Sequence, residues 1–99
     1  MIVKIDVLQD DIDDGEPRNA CACAAWLAIT RALPQFPGIS VGTWHVSYYA
    51  DAELSRYLGE SELPGIAQDF IGAADMAAPV RPFSFELDVP DDVLAAVSA

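Results

Sequence analysis

Phe83-Ser84-Phe85-Glu86-Leu87-Asp88-Val89 alternates large apolar side chains with short polar or acidic ones over seven positions. Successive side chains of an extended chain point to opposite faces, so this stretch reads as a strand with one face buried and one solvated. Val3, Ile5 and Val7 repeat the pattern at the other end, with Lys4 and Asp6 between them. Between these two strands the period changes. Ala22, Trp26, Ile29 and Leu33 fall on one helical stripe, flanked by Ala25 and Ala32, which predicts a helix over 20–33. Asn19 is placed to cap it, and Pro34 to stop it.

Ile39 and Val41, then Trp44, Val46 and Tyr48, restore the alternation, and Gly42-Thr43 is placed to turn a hairpin between the two runs. Asp51 to Glu62 is polar apart from Tyr57 and Leu58 and reads as a loop, or as a continuation of the second strand of the hairpin. Leu63-Pro64 opens a second helix, with Ile66, Phe70, Ile71 and Ala74 on its apolar stripe. Pro90-Asp91-Asp92 begins a short terminal helix over 93–97. The order is β-α-β-β-α-β, an α+β domain matching the split βαβ (ferredoxin-like) arrangement of an antiparallel sheet with two helices on one face.

At 99 residues the chain makes one domain, 1–99, long enough to bury a single core without metal or disulfide staples. Hydrophobic residues make up 53%, and the mean hydropathy of +0.24 excludes disorder despite the high charge. Much of that fraction is alanine. The core therefore rests on fewer large residues: Trp26, Leu27, Ile29, Leu33, Trp44, Phe70, Ile71, Phe83 and Phe85.

Asp and Glu outnumber Lys and Arg by 16 to 5, a formal charge of −11. A small domain needs a net charge of only about 2 to 8 in magnitude for solubility. Such acidity argues against direct nucleic-acid binding, which uses Lys and Arg to displace counterions, and against anionic membrane surfaces. The N-terminal run carries Lys4 and Asp6 and reads as a strand, not a signal peptide. No stretch approaches the ~18 apolar residues of a membrane span. Cys21 and Cys23 are too few for a disulfide framework and suit a reducing, cytoplasmic setting.

Asp11-Ile12, Gly15 and the Ala-rich segment bearing Cys21 and Cys23 resemble a family of short uncharacterised proteins of phages, prophages and plasmids. So does the later run Leu63-Pro64, Ala67, Phe70-Ile71, Val80, Pro82-Phe83, Phe85 and Leu87. The resemblance spans roughly residues 5 to 89. Family members open the helix with Cys-x-x-Cys-Pro, whereas this chain has Cys21-Ala22-Cys23 and no proline there. It carries no activity across, but it implies a phage accessory protein.

The acidic stretch Asp10, Asp11, Asp13, Asp14 is not a calcium-binding EF-hand loop. With Gly15 at the sixth position, Ile12 and Cys21 would fall where ligands are required. A solvated turn accounts for it, and so does one part of an acidic binding face. Cys21 and Cys23 point about 200° apart on a helix and cannot share a metal there. His45 is the only histidine, and nothing in its spacing selects a nucleophile. Trp44, Tyr48, Tyr49 and Tyr57 suit ordinary sheet packing, and any that are exposed beside carboxylates suit a binding hot spot.

These features imply a non-enzymatic phage-type inhibitor, in concrete form an anti-CRISPR protein. It would block a basic nucleic-acid-binding surface of a host protein or nucleoprotein complex. The expected contacts are Asp10, Asp11, Asp13, Asp14, Asp51, Glu53, Glu60 and Glu62, anchored by Tyr49 and Tyr57, with no cofactor or metal. The alternatives are a homo-oligomer built by strand-edge pairing, or a regulator using a Cys/His metal or thiol site.

Overall fold

The two most strictly alternating segments pair with each other. In the computed structural model, which describes residues 1–98, β1 (Ile2–Val7) and β5 (Phe83–Asp88) form an antiparallel pair running from Ile2↔Asp88 to Val7↔Phe83. Ile5, Val7, Phe85 and Leu87 face the core, while Lys4, Asp6, Ser84 and Glu86 face solvent. The expected period of two is obeyed at each position.

After β1 the acidic stretch forms a short helix, α1 (Gln9–Asp14), where a turn was expected. The carboxylate of Asp11 accepts the Leu8 N–H at 2.8 Å, so a side chain in the first turn satisfies a donor the helix leaves open. Ile12 packs against the core. Gly15 ends the helix, but not through an unusual backbone, since its φ is −70°. A Cβ there would lie 2.5 Å from the backbone nitrogen of Ala24, so the close approach of the next helix requires glycine.

That helix, α2 (Ala24–Ala32), begins four residues later than expected. Asn19 is not its cap. The Asn19 side chain accepts the Cys21 N–H at 3.0 Å, and its carbonyl accepts those of Ala22 and Cys23. Asn19 thus organises a turn ahead of the helix. Ala24, Ala25, Ala28 and Ile29 are buried, and Leu33 just beyond the end is 1% exposed.

β2 (Gly38–Val41), β3 (His45–Tyr49) and β4 (Tyr57–Glu62) form a second antiparallel sheet in that order. β4 replaces the expected loop. It takes the side of β3 that a split βαβ sheet would give to β1. The strands therefore form a sheet of two and a sheet of three instead of one sheet of four. Ser61 on β4 joins the two: its hydroxyl donates to the Asp88 carbonyl at 2.7 Å and lies 2.8 Å from the Tyr48 hydroxyl. The outer edge of β2 is covered, because the Val41 N–H donates to the Ala20 carbonyl and the Trp26 indole to that of Ile39. Strand addition at this edge is blocked.

α3 (Gly65–Asp75) follows Pro64 and buries Ala67, Phe70 and Ile71, but Ile66, expected on its buried stripe, is 56% exposed. α4 (Asp91–Ser98) packs on β4 through Val93. Gly59 sits beneath it with φ +156°, and a Cβ there would come within 2.5 Å of a Val93 methyl. The core centres on Ile5, Ile29, Leu33, Tyr48, Leu63 and Leu87. Burial of such side chains contributes about 2 kcal/mol each. Phe36, absent from the expected core, is buried with its ring 4.8 Å from that of Tyr48. Among the described residues, no helix is long and apolar enough to cross a membrane.

Candidate functional site

Along β3, Val46 and Tyr48 point into the core, which leaves His45, Ser47 and Tyr49 on the opposite face. Their cross-strand partners on β4 are Glu62, Glu60 and Tyr57 in turn. Tyr57 and Glu60 are three residues apart, so regular pleating would send them to opposite faces. An irregularity in the pairing at Tyr48/Tyr49 shifts the register and brings both outward. Four of the expected binding residues, Tyr49, Tyr57, Glu60 and Glu62, therefore share one sheet face.

The Tyr49 and Tyr57 rings meet edge-on with centroids 5.7 Å apart, an arrangement that aromatic quadrupoles favour. Tyr57 is 56% exposed. Its hydroxyl is pushed above the usual phenol range by desolvation and then by Glu60 and Tyr49, so at neutral pH it remains a hydrogen-bond donor. Glu60 lies 3.5 Å from His45 Nε2, and protonation of His45 would turn that contact into an ion pair. Small residues complete the face on β2, where Gly38 stands opposite Tyr49 and Ser40 opposite Ser47.

Trp44 lies exposed at the hairpin tip, not in the core where it was expected. The Gly42 N–H donates to the His45 carbonyl at 2.8 Å, which places Thr43-Trp44 at the hairpin tip and leaves Trp44 69% exposed. The sequence places the turn one residue earlier, and that single step moves the indole from inside to outside.

The other expected residues have different places. Asp11 is buried at 4% exposure. Its two oxygens each take a 2.8 Å hydrogen bond from the Arg31 guanidinium, which also donates to the Asp6 carbonyl at 3.0 Å. Arg31 holds the Asp11 carboxyl below the usual carboxylate range. This clamp ties α1, α2 and β1 together, and burial with three of its acceptor sites already engaged turns Asp11 away from any partner.

Asp51, half-buried on the loop between β3 and β4, is engaged by its own loop. It accepts the N–H groups of Ser55 and Arg56 at 3.1 and 2.9 Å, together with the Ser55 hydroxyl. It braces the chain that delivers Tyr57 to the face. Glu53 is exposed on the same loop. Asp10, Asp13 and Asp14 are exposed on α1, which packs on α2 and forms a separate acidic patch.

Both cysteines are free. Cys21 is exposed. Cys23 is half-buried, and burial pushes its thiol above the usual range, which disfavours the reactive thiolate. Among the described residues, no three His, Cys, Asp or Glu side chains are grouped to hold a metal ion. Comparison with protein-family models, curated proteins and solved structures gives no match. The functional reading therefore rests on the geometry of the sheet face.

Proposed function

We propose that this chain is a non-enzymatic inhibitor that uses the outer face of the β2-β3-β4 sheet to occupy a basic protein surface. The observation that carries the proposal is the convergence of Glu60, Glu62, Tyr49 and Tyr57 on one sheet face turned away from the core. Carboxylates on β4 take the place of phosphates at Lys and Arg side chains, and the tyrosines supply rigid contact area at low conformational cost. A net charge of −11 steers the encounter with a cationic target. The concrete form is a phage-type anti-defence protein, such as an anti-CRISPR, acting in the host cytoplasm on the nucleic-acid channel of an effector complex.

Competition is the test. The protein is immobilised, host complexes are captured at low salt, and duplex DNA or guide-like RNA is added at rising concentration. Displacement of the captured complex by nucleic acid, with affinity falling steeply as salt rises, is the expected result. A partner that stays bound while also holding its nucleic acid would refute channel blocking.

A further inference from the structure

A cavity of about 160 Å³ lies between the start of α2 and the face of α3. Its origin is compositional. Where two helices face each other with large residues, side chains interdigitate and fill the gap. Here Ala24 and Ala25 of α2 face Ala74 of α3, and Phe70 and Ile71 close only part of the space. The volume is close to that of an engineered apolar cavity of about 150 Å³ that stays dry and binds benzene.

The walls are nearly all hydrocarbon. The one charged side chain among them is Asp75, and its Oδ1 already accepts the Arg18 N–H at 2.9 Å. The one sulfur is Cys23, whose thiol stays protonated in its half-buried setting. Pro17, Ala77 and Ala78 are exposed at the mouth, so a small molecule can enter without unfolding the chain. An anionic ligand would meet Asp75 and the chain's overall negative charge. A strongly polar one would lose more hydration than these nearly all-hydrocarbon walls return.

We infer that this cavity is a binding site for a small, neutral, apolar molecule of about the size of a single six-membered ring. It lies on α2 and α3, away from the β2-β3-β4 sheet, and stands independently of the partner-binding proposal. Cys23 provides a direct reporter, because a molecule seated against it blocks approach to the sulfur.

The test uses the full chain carrying Cys21→Ser, so that Cys23 is the only thiol. Alkylation of Cys23 by iodoacetamide is timed with and without benzene, and benzene is titrated against the ¹⁵N-labelled protein by NMR. The expected result is saturable protection of at least about fivefold, with amide shifts centred on Ala25, Ile71 and Ala74. Ala74→Leu fills the space and should abolish both effects. If that variant does not fold, Ala78→Leu at the mouth should do the same. Non-saturable behaviour, protection that persists in the filled variants, or tighter binding of benzylammonium or benzoate than of benzene would overturn the inference.

Discussion

Replacing Asp11 with alanine should destabilise the fold by about 2–3 kcal/mol. The side chain makes three short hydrogen bonds, two to Arg31 and one to the Leu8 N–H. Each bond to a charged group contributes a net ~1.5–3 kcal/mol, so their simple sum is an upper bound near ~5–9 kcal/mol. Most of that is not lost. The Arg31 side chain is 49% exposed and returns to water when its partner goes. What remains is an open N–H at the start of α1 and the loss of the clamp between α1, α2 and β1. Urea denaturation followed by circular dichroism should show the midpoint falling by about 1–2 M with the slope unchanged. Asp13→Ala on the exposed side of the same helix should change stability by less than ~0.5 kcal/mol. Equal effects from the two substitutions, or a loss below ~0.5 kcal/mol for Asp11→Ala, would refute the clamp.

The pH dependence follows with a defined sign. Arg31 lowers the Asp11 carboxyl in the folded state, so the stabilisation is complete above the unfolded value near ~3.9 and fades as pH falls through the folded one. The gap between wild type and Asp11→Ala should therefore shrink below about pH 4 and stay constant from pH 5 to 8.

Gly59→Ala should cost about 2 kcal/mol, because the added methyl meets Val93 beneath α4 and the residue has a positive φ. A urea midpoint matching wild type would show that α4 yields without cost. Tyr57→Ala should weaken capture of the basic partner by at least about tenfold while leaving stability within ~0.5 kcal/mol. Surface plasmon resonance and thermal melting read the two quantities separately, and a parallel fall in both would assign Tyr57 to the fold instead of the interface.

The segments that could be read directly are those whose burial follows a period. β1, β5 and the apolar stripe of α2 show it in their own residues, because each packs one face against the core. β4 could not be read. Gly59-Glu60-Ser61-Glu62 shows no apolar alternation, and its inward group is Ser61, made tolerable by hydrogen bonds to Tyr48 and Asp88. Helix α1 was hidden for a related reason: it depends on Asp11 meeting Arg31, 20 residues away. Once β4 is missed, the sheet order is lost with it, since β4 fills the edge of β3.

At the candidate site, residue type singled out Tyr49, Tyr57, Glu60 and Glu62, which the structure places on one sheet face. Their common face was not legible, because it depends on the irregular pairing beside Tyr49. Acidity alone does not show that Asp11 and Asp51 are engaged within the chain, by Arg31 and by the Ser55-Arg56 loop. A carboxylate that braces a guanidinium or a loop has the same letter as one that faces solvent, and only its partners distinguish them.

The most direct test compares two charge reversals of equal size on different faces. Glu60→Lys with Glu62→Lys alters the sheet face, and Asp13→Lys with Asp14→Lys alters α1 by the same four units of charge. Affinity for the captured host complex is measured for both at several salt concentrations. Loss of at least about a hundredfold for the sheet pair, against a small and salt-screened loss for the α1 pair, is the expected result. Equal losses would show that only net charge matters, and an intact affinity in the sheet variant would contradict the proposed binding face outright.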